Sequence, residues 1–461
     1  AMGYADWEAL TRDLNQHREE VTRQFERVAL RDRDSTADDS LKESVVKLWD
    51  RDASADDWSR LLTAEKFVAA DELGAAIAQF AASRLLQRID ATSTQRLRLV
   101  IPELLILLKD VDEPLLTLRR TLGIIEQVLR RSAYLALLNE NVTAMARLVS
   151  LCAQSGYIAE QIARYPVLLD ELLDPRIYSA HITRAELERE LQQRLANCPM
   201  DDSELQMERL AQFQRASQFR IAVADYNGNL PIMRVSDSLT DLAECVLAHA
   251  LKVAWTDLTS KHGVPRYRLN GEHRNAGFGI IGYGKLGGIE LSYTSDLDIV
   301  FLHDSRGEEQ VTDGERPLDN GMFFMRLVRR LVHYLTTQTA SGMLYEVDMR
   351  LRPDGRSGLL VTSVDAFERY QDENAWTWEH QALLRARPVA GSAIIAREFE
   401  RVRNDTLTAR VRRDSLRDDV VSMRGRMRKE LDKSDDARFD LKQGRGGIGD
   451  IEFIVQYLVL A

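Results

Sequence analysis

The chain is poor in cysteine: only Cys152, Cys198 and Cys245 occur among 461 residues, far apart and odd in number. That excludes a disulfide framework and any cysteine-based zinc site, and leaves buried free thiols. No apolar run approaches the roughly 20 residues needed to cross a bilayer, so no membrane span is expected. The first residues lack the basic and apolar regions of a signal peptide, which points to the cytoplasm, and Ala1-Met2-Gly3 reads as an artificial lead-in. The eight histidines show no paired metal spacing. Positive charge is in deficit: 62 Lys and Arg stand against 72 Asp and Glu, a net charge of −10. This argues against a nucleic-acid binder working by bulk phosphate neutralisation, and favours a protein as macromolecular partner. What is present, 44% hydrophobic and 29% charged residues, suits a globular chain long enough for two to four domains.

From residue 6 to 258 the pattern is almost entirely helical, with apolar residues recurring at three and four, as at Leu97, Val100, Ile101, Leu104, Leu105 and Leu108. Turn and capping residues divide the helices at 34–39, 52–57, 110–114, 174–175 and 227–229. The acid pairs Asp38-Asp39, Asp56-Asp57, Asp201-Asp202 and Asp435-Asp436 stand where helices begin and read as caps or solvated surface. After Pro265 glycine clusters and β-branched runs appear, the texture of an α/β segment. Strands are expected at 278–281, 297–302, 344–350 and 359–362, and helices at 320–339, 368–387, 393–403 and 415–432. The sequence stops within an apolar helical pattern at Leu458-Val459-Leu460-Ala461, which is read as the truncated start of a C-terminal helical domain.

The densest chemical signal is Gly282-Tyr283-Gly284-Lys285-Leu286-Gly287-Gly288, followed by Ser295-Asp296-Leu297-Asp298. Glycines let backbone amides approach an anion at a helix start, so the turn suits a triphosphate, with Lys285 reinforcing it. Strand alternation puts Asp296 and Asp298 on one face, where their repulsion asks for a cation; hard oxygen ligands suit Mg²⁺ shared with phosphates. Asp348, inside Tyr345-Glu346-Val347-Asp348-Met349-Arg350-Leu351-Arg352, is the candidate third carboxylate, able both to touch a second ion and to take a hydroxyl proton. Arg350 and Arg352 follow at strand spacing on its face, to neutralise phosphate or hold the acids together. A dinucleotide fingerprint is disfavoured, because no ribose-binding acid follows a second strand. Gly444–Gly449 is read as a flexible helix entry capped by Asp450 or as a second anion loop. Trp376, Trp378 and His380 are read as pocket lining or as core.

At these residues the chain resembles the nucleotidyltransferase superfamily that includes DNA polymerase β, and more specifically glutamine synthetase adenylyltransferase. The closer likeness runs through Gly282–Leu291, Ser295–Asp298, Val347–Gly358, Glu373–Arg387 and Gly446–Phe453. The resemblance implies an α+β, mostly helical fold. Residues 1–215 would form a helical N-terminal region and linker, and 216–410 a small mixed sheet with flanking helices; a C-terminal helical bundle would begin at 411–461. It implies a two-metal transfer of AMP from ATP to a tyrosine of glutamine synthetase. Asp296 and Asp298 would bind both Mg²⁺ ions, and Asp348 would assist deprotonation. Gly284, Lys285, Gly287, Gly288, Ser295, Arg350 and Arg352 would lie about the nucleotide. Family members carry an AMP-removing and an AMP-adding module; the Tyr283 form of the turn and Trp376-Thr377-Trp378-Glu379 look more like the latter. Control by glutamine and the PII signal protein is also implied, with no site legible. The rival readings are the AMP-removing module and a non-catalytic, nucleotide-sensing helical interaction module.

Overall fold

A computed structural model describes residues 35–174, 182–199, 201–410, 415–435 and 437–461. The expectations at residues 6–34 and at Pro175 and Asp436 lie outside these. The chain divides into two compact units, one of Ala1–Ala180 with Ala222–Asn229 and one of His181–Ile221 with Leu230–Ala461. Among the described residues no helix is long and apolar enough to cross a membrane.

The first unit is helical throughout its described residues. Its helices include Ser35–Asp50, Ala55–Ala64, Ala70–Ala81, Ala91–Leu108, Pro114–Val128, Val142–Gln154 and Gly156–Arg164. Leu97, Val100, Ile101, Leu104, Leu105 and Leu108 are all buried, so the three-and-four periodicity marks a real core face. The helix starts are chemical: Ser54 and Asp57 cap each other reciprocally, Asp90 accepts the Ser93 N–H at 2.8 Å, and Pro114 opens the next helix. In the second unit Asp202 does the same for the Leu205 N–H at 3.0 Å.

The second unit is built on the helix Ile232–His262 and two small sheets. One sheet is antiparallel, in the order β2 (Glu272–Asn275), β1 (Pro265–Leu269), β5 (Glu308–Thr312). The other is mixed. Its path runs β6 (Val347–Asp348), β4 (Leu297–His303), β3 (Phe278–Gly282), β8 (Arg387–Gly391), and β7 (Thr362–Ser363) also pairs with β4. β3 is antiparallel to both β4 and β8, while β6 and β7 run parallel to β4. The near-continuous apolar run of β4 is buried on both faces, and Asp298 is the half-buried exception at its start. Helix Asn320–Thr336 covers the sheet with Phe323 and Phe324; Phe324 stacks on Phe278 at 5.9 Å and on His303 at 4.5 Å between ring centroids.

Four expectations are corrected. The strand at 344–350 shrinks to Val347–Asp348, because Arg350 folds back onto Asp348 and the chain turns. The strand at 359–362 becomes Thr362–Ser363. The helix at 368–387 is two, Val364–Glu373 and Thr377–Leu383, and its end is strand β8. Asp450 is not the cap but a first-turn residue that reaches back to the Gly446 N–H at 2.7 Å.

Candidate active site

The glycine turn links β3 to a single helical turn, Gly284–Gly287, and then returns to β4. At Gly284 the backbone has φ +52°, and an added Cβ would come within 2.2 Å of Asp298 Oδ2. Only glycine accepts that conformation while packing its backbone on a carboxylate. Gly287 is glycine for another reason: a Cβ there would meet the Arg385 carbonyl oxygen at 2.0 Å. Gly288 closes the turn, its N–H donating to Gly284 O at 3.0 Å. The Tyr283 N–H donates to Asp298 O at 2.8 Å, so turn and strand are tied at the acid itself. A one-turn helix carries little dipole, so the turn bears on Asp298 by close packing of the Gly284 backbone against its carboxylate. Because β3 and β4 are antiparallel neighbours, the Gly-x-Gly-x-x-Gly spelling here is no βαβ fingerprint.

Asp298 and Asp348 are direct register partners on the parallel strands β4 and β6. Asp296 stands exposed just before β4. The Asp298 carboxyl is pushed up to about 6, first by burial and then by the negative charges of Asp296 and Asp348; Arg350 and Lys442 pull the other way. Asp348 is held below the usual carboxylate range by Arg350. The Arg350 N–H donates to Asp348 Oδ1 at 2.8 Å and Nε donates to Oδ2 at 2.7 Å, with Nη2 closing the ion pair. The acids thus form one electrostatic group in which a single member has its own cation.

The other candidates divide. Lys285 is exposed at the turn. Ser295 closes the loop before β4, its hydroxyl 2.8 Å from that of Ser292 and accepting the Ser292 N–H at 3.0 Å. Arg352 is not brought to the acids: it donates to the carbonyls of Met349, Arg356 and Gly358, stapling the loop after β6. Trp376 is 65% exposed, and His380 is buried with Nε2 3.2 Å from Gln371 O. Sequence reasoning missed Arg387 and Glu244, which hold the glycine turn from behind, and Lys442, whose charge is felt at Asp298. Arg387 stood at the end of the likeness through Glu373–Arg387 and before Pro388, which favours extended backbone, but neither signal pointed to the glycine turn.

Among the described residues no group of three or more His, Cys, Asp or Glu side chains is gathered tightly enough to hold a metal by protein ligands alone. Two half-buried carboxylates, Asp298 and Asp348, beside an exposed third, Asp296, nevertheless suit a hard divalent ion completed by phosphate oxygens; Mg²⁺ is commonly bound through one or two carboxylates plus phosphates and water.

Paired strand-borne acids against a glycine turn in a small mixed sheet are an arrangement suited to a nucleotidyl-transfer site. The glutamate-ammonia ligase adenylyltransferase family profile matches residues 145–402, and the chain belongs to that family. Over its full length it is 45% identical to the bifunctional glutamine synthetase adenylyltransferase/adenylyl-removing enzymes of Thioalkalivibrio sulfidiphilus and Pseudomonas syringae pv. tomato, and 44% identical to that of Nitrosococcus oceani. It covers 48% of each, so the chain spans about half the length of the curated relatives it matches.

Proposed function

We propose that this chain is the AMP-adding half of such an enzyme, transferring AMP from ATP to a tyrosine hydroxyl of glutamine synthetase in the cytoplasm. The observation that carries the reading is the register pairing of Asp298 with Asp348 beside Asp296, so that two carboxylates bear on a third, half-buried one. Asp296 and Asp298 would hold the Mg²⁺ ions with Asp348. Bound there, the metal supplies neutralisation of phosphate charge and a lowered pKa for the attacking hydroxyl. The tyrosine oxygen bonds to the α-phosphorus of ATP while the bond to the pyrophosphate oxygen breaks, and Asp348 receives the tyrosine proton. Gly284 and its neighbours present amides to the phosphates, with Lys285 beside them. Arg350, the cation that holds Asp348 in the free protein, exchanges that carboxylate for phosphate when nucleotide enters. Ser295 acts by fixing the loop that carries Asp296, and Arg352 by fixing the loop after Asp348. Regulation by glutamine and the PII signal protein belongs to the same reading.

The AMP-removing reaction uses the same acids in the opposite sense, so direction is decided by assay. The chain is incubated with labelled ATP, Mg²⁺ and unmodified glutamine synthetase, and separately with modified synthetase and phosphate. Label entering the synthetase in the first supports AMP addition; reaction only in the second overturns it. Asp296→Asn and Asp298→Asn are expected to abolish transfer with the fold intact, and retained transfer would place the site elsewhere.

A further inference from the structure

Glu244 lies in the middle of the helix Ile232–His262 and is 5% exposed, a carboxylate that burial would make costly without partners. Two guanidinium groups meet it, Arg184 from the helix Arg184–Leu195 on one oxygen and Arg387 from β8 on the other. The two arginines are not equivalent. Among the described residues Arg184 otherwise pairs on the helical side, with Glu188 and Asp241. Arg387 continues to the glycine turn: its Nε donates to Gly287 O at 3.1 Å and its Nη2 to Leu286 O at 3.2 Å. Its backbone is the register partner of Gly282, at the foot of the same turn. One residue therefore holds the turn at both ends, by its backbone at the foot and its side chain at the far end, and ties it to a buried acid on the long helix.

The geometry points to Arg387 as a positioning residue for nucleotide, with Glu244 holding Arg387 in place; this deepens, and rests on, the reading of the glycine turn as the phosphate-binding element. The turn cannot shift without consequence. Its front, at Gly284, is in contact with Asp298, and its back, at Gly287, is pressed on the Arg385 carbonyl. The carbonyls at its closing end meet the positive guanidinium, which fixes how far the opening amides stand from Asp298. If Arg387 is lost, the turn can tilt away from the carboxylate and the amides no longer meet the phosphates squarely. Lysine would keep the charge toward Glu244 but not the planar fork that takes two carbonyls and a carboxylate together.

The test measures the Kd of ATP in the presence of Mg²⁺ by calorimetry, alongside the melting temperature, for the whole chain and four variants. Arg387→Ala and Arg387→Lys are expected to weaken ATP on the order of tenfold, the scale on which supporting partners act at ligand sites. Glu244→Gln should weaken it in the same direction. Arg184→Ala removes the other partner of the same carboxylate, so it should lower the melting temperature while leaving Kd within about twofold. Arg387→Lys should melt close to the unsubstituted chain, so its weakened binding separates position from stability even where Arg387→Ala folds poorly. Equal binding by Arg387→Lys and the unsubstituted chain would overturn the inference, as would equal weakening by Arg184→Ala. If the unsubstituted chain itself binds no ATP, the phosphate-binding reading falls and the inference with it.

Discussion

At the residue scale, the decisive contacts are those with no slack. Gly284→Ala would force a side chain onto Asp298 Oδ2, 2.2 Å from the new Cβ, at a φ of +52° that alanine resists. The expected outcome is loss of AMP transfer by at least about a hundredfold, with a helical circular-dichroism spectrum unchanged. A variant that melts normally and still transfers would mean the turn and the acid are not functionally joined. His303 gives a second residue-scale prediction, on stability. Burial first of all pushes it down to about 4, against the opposing charges of Asp319 and Asp365, and Nδ1 accepts the Ser305 N–H at 3.2 Å, so the ring is neutral in the fold. A histidine whose folded pKa is depressed contributes stability above its unfolded value near 6.5, lost as pH falls toward 4 and constant below. The loss reaches about 3 kcal/mol. Asp298, raised to about 6, acts in the opposite sense over part of that window, and His249, also pushed down to about 4, adds to the loss. The measurement is therefore the difference in urea stability between the protein and His303→Phe from pH 7 to 4. That difference should shift in favour of the variant as pH falls; a difference independent of pH would rule out the neutral, buried imidazole.

At the element scale, what could be read from the chain depended on whether apolar residues or contacts between charged ones made the element. β3 and β4 were legible because burial on both faces leaves an unbroken apolar run, and the lone Asp298 in it marked the site. The β2–β1–β5 sheet was not. Charged residues dominate it, with Arg268 of β1 and His273 of β2 paired across strands to Glu308 and Glu309 of β5, and the one apolar alternation, Pro265, Tyr267 and Leu269 in β1, is too short for a pattern to catch. β8 was hidden as a helix end, since Pro388 removes a donor and the strand is short. Arg352 was misjudged because spacing assumed that the strand continued past Asp348; the turn there sends its guanidinium to carbonyls of its own loop. The helices Leu416–Leu431 and Ile448–Leu460 share an apolar cluster of Leu416, Val420 and Leu460 and are also tied by charge. Asp450, pulled down to about 2 by the Gly446 N–H first and then by Arg424 and Arg428, ties the connecting loop to both, and Arg424 is 6% exposed. Asp450→Ala should cost about 1–3 kcal/mol, the range for a buried polar group losing its partner. The loss is expected to be local: hydrogen exchange should speed up across 440–460 while amides of β3 and β4 keep their protection. Equal loss of protection in the sheet would contradict this.

At the scale of the whole molecule, the chain has two compact units, and the acids, the glycine turn and the Glu244–Arg387 anchor all belong to the second. Each unit has its own buried core, Leu97 to Leu108 in one and β3, β4, Phe323 and Phe324 in the other. A ligand that binds the folded form alone stabilises it by about 2.7 kcal/mol at a hundred times its Kd. If nucleotide is held entirely by the second unit, that gain enters one core and not the other. Scanning calorimetry with Mg²⁺ and saturating ATP should therefore raise one unfolding transition by several degrees and leave the other where it was. Asp298→Asn should remove the rise without moving either transition in the absence of ATP by more than a few degrees. Two transitions rising together would mean that nucleotide stabilises the helical unit as well, and a single transition throughout would mean that the two cores unfold as one; either result would overturn the expectation that the gain stays in the unit that carries Asp296, Asp298 and Asp348.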